Sequence, residues 1–481
     1  MFGVTFLGHQ GWLFRTKRAC ILVDPLLCDD FGHAHALGYD VFPPRTFDFT
    51  KFPALDAVVL THEHDDHFDL PTLARIDRRV PVYLSSRSSI AASEILRRMG
   101  FLVHPLSPGR PLAWKDLQLL PFAGDHVSVN CGDEWDTLPY IVKQKGGSGS
   151  FFSLVDISIT PAHVEWAKTQ LETPGIVGWT NNALDWSHMA DWLGSRDEAT
   201  QDCLVKLGVG HKLIETVWGK PAATMFCAGG FSFTGERAWL NQRVFCVDVD
   251  AICATMMDLY KGEVFLKTLP GQTFWMQGNR VHEAEDTTPF LRVRPPAEWP
   301  PRHREDGVEP RDFEPATGQR AFDDVPGLEA HLQELADALV AGAVFRGLCS
   351  LRDDEVGDRV ATFAFFLRRD GAPALAYEYV PTACAFRPTA ADVRATHLAG
   401  LDCWASDLDA VIAGVLGPIA LTYGRCRLWN ALPRRFHFDL FSDLYRVSHP
   451  LRRPAATLRV YEQLLARTRD VDPDVRFNDQ Q

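Results

Sequence analysis

Leu60-Thr61-His62-Glu63-His64-Asp65-Asp66-His67 sets four metal-ligand side chains, His62, His64, Asp66 and His67, within six consecutive positions. It follows Ala54-Leu55-Asp56-Ala57-Val58-Val59-Leu60, an apolar run rich in β-branched residues and without a helical period. Such a run reads as a buried strand, which places the histidines on the loop at its C-terminal end. In an extended loop His62 and His64 point the same way and can grip one cation. Asp66 and His67 leave the loop where it turns into a helix and can reach a second cation. Imidazole with carboxylate suits zinc or iron, whereas a calcium or magnesium site is nearly all oxygen. The plain alternative is a polar turn that happens to be rich in histidine, yet a surface turn seldom concentrates the commonest metal ligand this way. Glu63 and Asp65 alternate with the ligands and should point away, into a helix start.

Length and charge bound the function. A chain of 481 residues with ordinary apolar content implies two domains, or one large domain with a substantial addition. A formal net charge of −13, interspersed along the chain, argues against a nucleic-acid partner, which needs a basic face. Eleven cysteines without paired spacing suit reduced thiols in a cytoplasmic enzyme. Met1-Phe2-Gly3-Val4 leads directly into a strand pattern, without signal-peptide character, and no apolar run approaches membrane-spanning length.

Short strands alternate with helical segments, such as Ser88 to Met99, through residues 1–290. Residues 291–320 are rich in proline and charge and read as a linker or surface strap. Residues 321–481 read as a C-terminal α+β domain. It has a helix from Leu328 to Leu339, strands at Ala361–Leu367 and Ala374–Tyr379, and helices around Leu408–Leu416 and Ala456–Leu465. Its aromatic stretch Phe436 to Tyr445 can cover a substrate cleft. Interior packing or a homodimer surface is the plainer reading, and His437 and His449 read as structural.

His62-x-His64-x-Asp66-His67 resembles the HxHxDH signature of the metallo-β-lactamase fold superfamily. Gly3 to Phe14 is similar to that fold's opening strand pair, and Ile21-Leu22-Val23-Asp24-Pro25 to its "iDP" strand end. The resemblance covers about the first 290 residues and implies an α/β fold, an αββα sandwich of two sheets with helices outside, here with an additional C-terminal α+β domain. It implies a third histidine on the first metal, His126 after Leu119 to Asp125, and a bridging carboxylate, Asp156 after Ser150 to Val155. Asp66 and Asp156 then carry the chemistry. His104 lies a strand too early for the third ligand and reads as structural. Asp24 can accept the second N–H of a ligating imidazole, and His9, on the first loop, can line the substrate opening.

The family's late histidine, which closes the second metal site, has no counterpart in Val264 to Thr273, where Pro270 and Gly271 stand instead. Asp185 or His188 can substitute, and a helix-capping aspartate followed by a surface histidine is an equal reading of that loop. Ala222 to Phe231 and Leu269 to Phe274 resemble strands of the metallo-β-lactamase-like domain of CMP-N-acetylneuraminate hydroxylase, although the Cys-x-His pairs of its Rieske domain are absent. That subgroup, and the di-iron monooxygenases of the same fold, imply two iron ions and hydroxylation of a small-molecule biosynthetic intermediate, free or tethered to a carrier protein. The alternative is a dinuclear zinc hydrolase of an ester, lactone, thioester or phosphodiester.

Overall fold

Trp12 and Phe14 face one side of their strand and Leu13 the other, and all three are fully buried. Ile21 and Val23 oppose Leu22 in the same way, and Ala57 and Val59 oppose Val58 and Leu60. Strands apolar on both faces must be covered on both, and this requirement generates the layers. In the computed structural model of the chain the described residues are 1–32, 39–125, 135–147, 149–180, 196–278, 280–284, 288–303, 305, 307–309, 311–339, 351, 353–421, 425–430, 453–468 and 470–479.

The first sheet has eight strands in the order Arg280–Glu283, Thr273–Gln277, Phe2–Gly8, Gly11–Arg15, Cys20–Val23, Ala57–Leu60, Val82–Ser85 and Val103–Leu106. The second has seven, in the order Leu112–Trp114, Leu117–Pro121, Tyr140–Gln144, Ser150–Ser153, Ile176–Thr180, Ala223–Cys227 and Phe265–Leu266. Between them lies one apolar core, in which Phe2, Val4, Trp12, Phe14, Ile21 and Val59 meet Leu119, Tyr140, Val142, Phe151, Ile176 and Met225. Helices Leu70–Ala74, Ile90–Arg98 and Pro454–Arg467 cover the outer face of the first sheet. Helices Pro161–Gln170, Arg196–Val217 and Val249–Leu259 cover that of the second. The result is an αββα sandwich. Among the described residues no helix is long and apolar enough to cross a membrane.

The stretch Val264 to Thr273, which lacks the family's late histidine, divides between the two sheets. Phe265–Leu266 ends the second sheet and Thr273–Gln277 pairs with Phe2–Gly8 in the first. Proline has no amide proton to give a ladder and Gly271 stands at φ 93°, so Pro270-Gly271 turns the chain from one sheet to the other.

A separate five-stranded sheet, Ala385–Pro388, Leu375–Val380, Val360–Arg368, His397–Trp404 and Cys426–Asn430, packs against helices Val325–Leu339 and Ala405–Ile412. Its core is continuous with Tyr39, Phe231 and Phe233 of a small three-stranded sheet, Phe231–Phe233, Tyr39–Val41 and Asp30–Phe31, and with Phe245. The preceding strap is well anchored. Leu291–Val293 pairs with Arg45–Phe47, Arg302 lies over the rings of Phe42 and Phe245, and the amides of Ala316 and Thr317 donate to Asp407 at 2.7 and 2.9 Å. The chain then returns. Helix Pro454–Arg467 joins the outer layer of the sandwich, with Tyr461 against Phe68 at 5.3 Å, and Val475 and Phe477 form bridges with Ile76 and Leu55.

Candidate metal centre

Parallel strands Cys20–Val23 and Ala57–Leu60 of the first sheet end side by side, as do Ser150–Ser153, Ile176–Thr180 and Ala223–Cys227 of the second. The loops beyond these C-terminal ends carry polar side chains, because backbone leaving a sheet needs polar partners and side chains there converge on a crevice. Asp24 and the His62–His67 loop come from the first sheet, Asp156 and Thr180 from the second.

Asp156 is the meeting point. Its Oδ2 lies 2.8 Å from His67 Nε2 and 3.6 Å from His62 Nε2, while its Oδ1 accepts a bond from Gln10 Nε2 at 2.5 Å. One donor atom from each of His62, His64, Asp66 and Asp156 falls within 4.8 Å of the others, and the same holds for His9, Asp66 and His67. The rings of His62 and His64 stand 4.6 Å apart, and those of His62 and His67 4.0 Å apart. This donor set, mixed imidazole and carboxylate, fits two adjacent first-row transition-metal ions and lacks the all-oxygen shell that calcium or magnesium requires.

The expected ligands His62, His64, Asp66, His67 and Asp156 are thus brought together. His126, Asp185 and His188 lie outside the described residues, as do Phe436 to Tyr445, His437 and His449. Asp24 sits where a supporting carboxylate should. Its Oδ2 is 3.0 Å from His67 Nδ1, and its two oxygens accept Thr61 N at 2.8 Å and Thr61 Oγ1 at 2.6 Å. His104 stands on an edge strand with its ring stacked on Tyr83, away from the centre. His9, expected beside the opening, is 3% exposed and its Nε2 lies 2.7 Å from Asp66 Oδ2. Glu63 points away as expected. It accepts Ser89 Oγ at 2.7 Å and so fixes the start of helix Ile90–Arg98, while its own amide donates to Asp136 Oδ2 at 3.0 Å.

Electrostatics follow from this crowding. Burial opposes charge on His67, but Asp66, Asp156 and Asp24 outweigh it and hold the imidazole well above its ordinary range. Burial raises Asp66 too, and the His67 charge with the His9 hydrogen bond reverses that and holds its carboxyl well below the usual range. Three carboxylates that favour a proton on one buried imidazole also favour a divalent cation there. Glu63 is pushed up to about 8 by burial and then by the Asp136 charge, and Asp136 to about 6 by burial, as suits buried supporting groups.

Gln10 has no signature in the sequence. Its amide donates to Asp156 and, at 3.0 Å, to Thr180 Oγ1, while its carbonyl accepts Cys227 Sγ at 3.3 Å. It thereby ties Asp156 to two neighbouring strands. Thr180 Oγ1 closes the network onto the carbonyl of Val155. Backbone strain concentrates here as well. Among the described residues six non-glycine positions have positive φ, and four of them, His9, Asp24, Val155 and Ala228, adjoin this centre.

Residues 20–213 match the family described as the beta-lactamase superfamily domain. Over 135 residues the chain is 31% identical to the 4-amino-L-phenylalanyl-(CmlP-peptidyl-carrier-protein) 3-hydroxylase of Streptomyces venezuelae, covering 25% of this chain and 23% of that one. Over 73 residues it is 30% identical to an uncharacterized protein of Mycobacterium tuberculosis, covering 15% of this chain and 20% of that one. It therefore spans less than a quarter of the length of these curated relatives. Among solved structures, CmlA, a diiron beta-hydroxylase from Streptomyces venezuelae, aligns at 18% identity and a TM-score of 0.37, covering 56% of this chain and 52% of that one. An isothiocyanate hydrolase from Delia radicum gut bacteria aligns at 16% identity and a TM-score of 0.41, covering 57% and 99%.

Proposed function

With a beta-lactamase superfamily domain at residues 20–213 as the premise, we propose that this chain is a dinuclear non-heme iron oxygenase that hydroxylates a small biosynthetic intermediate tethered to a carrier protein. The carrying observation is Asp156, a single carboxylate placed between the imidazoles of His62 and His67, where it can span two cations. His62 and His64 would hold one ion, Asp66 and His67 the other. His126, which the family resemblance assigns to the first ion, lies outside the described residues.

An iron pair held there would activate dioxygen, and with two electrons from an external reductant one oxygen atom would enter the C–H bond while the other leaves as water. The chain's own residues position the pair. Asp24, fixed by Thr61, stands with Oδ2 3.0 Å from His67 Nδ1, on the side of the ring away from Asp156, and would favour the orientation that presents Nε2 to the cation. Gln10 holds Asp156 by one oxygen and leaves the other facing the histidines. On the side of His9, Phe31 and Phe231 stand 5.8 and 6.2 Å from its ring, and Phe231 belongs to the aromatic core continuous with the five-stranded sheet. This apolar flank of the centre supports chemistry that must keep water from a reactive oxidant. The relative whose name describes hydroxylation of a carrier-bound aminoacyl group supports the substrate class.

The test is metal analysis of protein from cells supplied with iron and zinc, an optical spectrum in air, and oxygen uptake, with a two-electron donor such as dithionite and a redox mediator, on aminoacyl groups offered free and carrier-bound. Two irons per chain, oxo-bridge absorption and uptake with the carrier-bound form are expected. Two zincs in a colourless protein would overturn the oxygenase reading. They would favour instead a zinc hydrolase in which the partly exposed Asp66, held ionised by His67 and His9, orients a nucleophilic water.

A further inference from the structure

Asp66, His67 and Asp156 offer the second cation one imidazole and two carboxylates, and a fourth donor already points at the same place. We infer that His9 is a direct ligand of that cation, coordinating through Nε2 beside Asp66 and His67. The inference rests on the dinuclear reading of the centre.

Two donors bound to one ion at roughly 2.0–2.1 Å stand about 3.0 Å apart at right angles and about 3.4 Å apart in a tetrahedron. His9 Nε2 lies 2.7 Å from Asp66 Oδ2, which lies 3.6 Å from His67 Nε2, so the three atoms bracket those spacings. The same 2.7 Å also fits an ordinary hydrogen bond, in which His9 acts only on Asp66. The backbone favours the first assignment. His9 sits at φ 53° directly after Gly8 at φ 113°, a conformation costing about 1 kcal/mol or more for a residue with a Cβ. The second sheet holds it there. Ala228 N donates to the His9 carbonyl at 2.7 Å, and Gly230 packs so closely that a Cβ on it would come within 2.9 Å of His9 Cα and N. A loop bent this far, locked from across the sandwich and carrying a buried imidazole into a cluster of ligands is placed for coordination. Sequence reading does not reach this residue as a ligand, because it lies 53 positions before His62 on a different strand pair.

The experiment compares the full chain with His9→Asn and His9→Gly, both of which tolerate the left-handed backbone. Each protein is equilibrated with buffered free zinc for metal counting, and separately loaded with cobalt(II) for proton NMR. Wild type should bind two ions per chain. Both variants should keep the first ion at unchanged affinity, lose more than about 100-fold in affinity for the second, and lack one hyperfine-shifted, exchangeable ring N–H signal. A fall of only 10- to 100-fold with every shifted N–H retained would make His9 a positioning residue for Asp66 and overturn the inference. Loss of both ions, or of neither, overturns it as well. Fewer than two ions on wild type would sink the dinuclear reading itself, a result separable from any failure in the variants.

Discussion

The metal-site crevice and the five-stranded sheet both bury carboxylates, and they neutralise them in opposite ways. Asp402, fully buried on strand His397–Trp404, takes both ends of the Arg368 guanidinium at 2.6 and 2.8 Å and Arg394 at 2.8 Å. Asp407 accepts the amides of Ala316 and Thr317 and the Thr317 hydroxyl. Each of these carboxylates is surrounded by donors, and the arrangement is complete as protein. Around Asp66, His67 and Asp156 Oδ2 the neighbours are carboxylates and imidazoles, whose lone pairs compete for the same positive charge, and Gln10 donates only to the other oxygen of Asp156. A buried acid met by guanidinium forks is architecture, whereas buried acids met by imidazoles edge-on form a receptor for a cation.

The contrast can be broken most decisively by Asp156→Ala. Both cations should bind more than about 100-fold more weakly, beyond the effect typical of supporting residues, with the fold retained by circular dichroism. Metal counting checks this. Retention of two ions would remove Asp156 from the centre. Asp402→Ala should do the reverse. Cation content stays at the wild-type level, while stability falls by roughly 1–3 kcal/mol in urea unfolding, because the half-exposed Arg394 loses its counter-charge and Arg368 keeps only the exposed Asp312. A parallel loss of metal would show that the two regions are coupled.

Gln10→Ala sharpens the comparison within the crevice itself. It should weaken cation binding by about 10- to 100-fold with little change in stability, since it removes a hydrogen bond that orients Asp156 and no ligand. The smallest effects separate two glycines. Gly400→Ala brings a Cβ within 2.4 Å of the Ala364 carbonyl and should cost about 1–3 kcal/mol without touching metal content. Gly230→Ala presses on the His9 backbone and should cost about as much, with weaker binding of the second cation as well. Equal metal affinity in the two variants would argue that the His9 loop is independent of the centre.

Much of the sandwich is legible in the sequence, because a strand buried on both faces leaves a short apolar run and a helix leaves a period. Ala57–Leu60, Ile90–Arg98, Val325–Leu339 and Val360–Arg368 fall where such patterns stand. The division of the late stretch between two sheets was not legible, since the same apolar residues serve either partner and the turn at Pro270-Gly271 decides. Nor does residue pattern reveal that helix Pro454–Arg467 returns to cover the first sheet, because an apolar helix face does not name its partner.

At the centre, sequence alone determined the candidate ligands that lie close together in the chain. His62, His64, Asp66 and His67 share one loop, and the geometry of an extended segment followed by a turn already aims them together. Asp156 was reached only through family resemblance, and its two-sided placement comes from the packing of the second sheet against the first. Gln10, and the contact of His9 with Asp66, belong to the tertiary structure. A glutamine or a histidine in a hairpin turn has no local mark of function, and only the closing of two sheets, with Ala228 and Gly230 holding the turn, brings these side chains to Asp156 and Asp66. Chemistry written within a few residues is set by local geometry, whereas chemistry assembled across the sandwich is set by which buried faces meet.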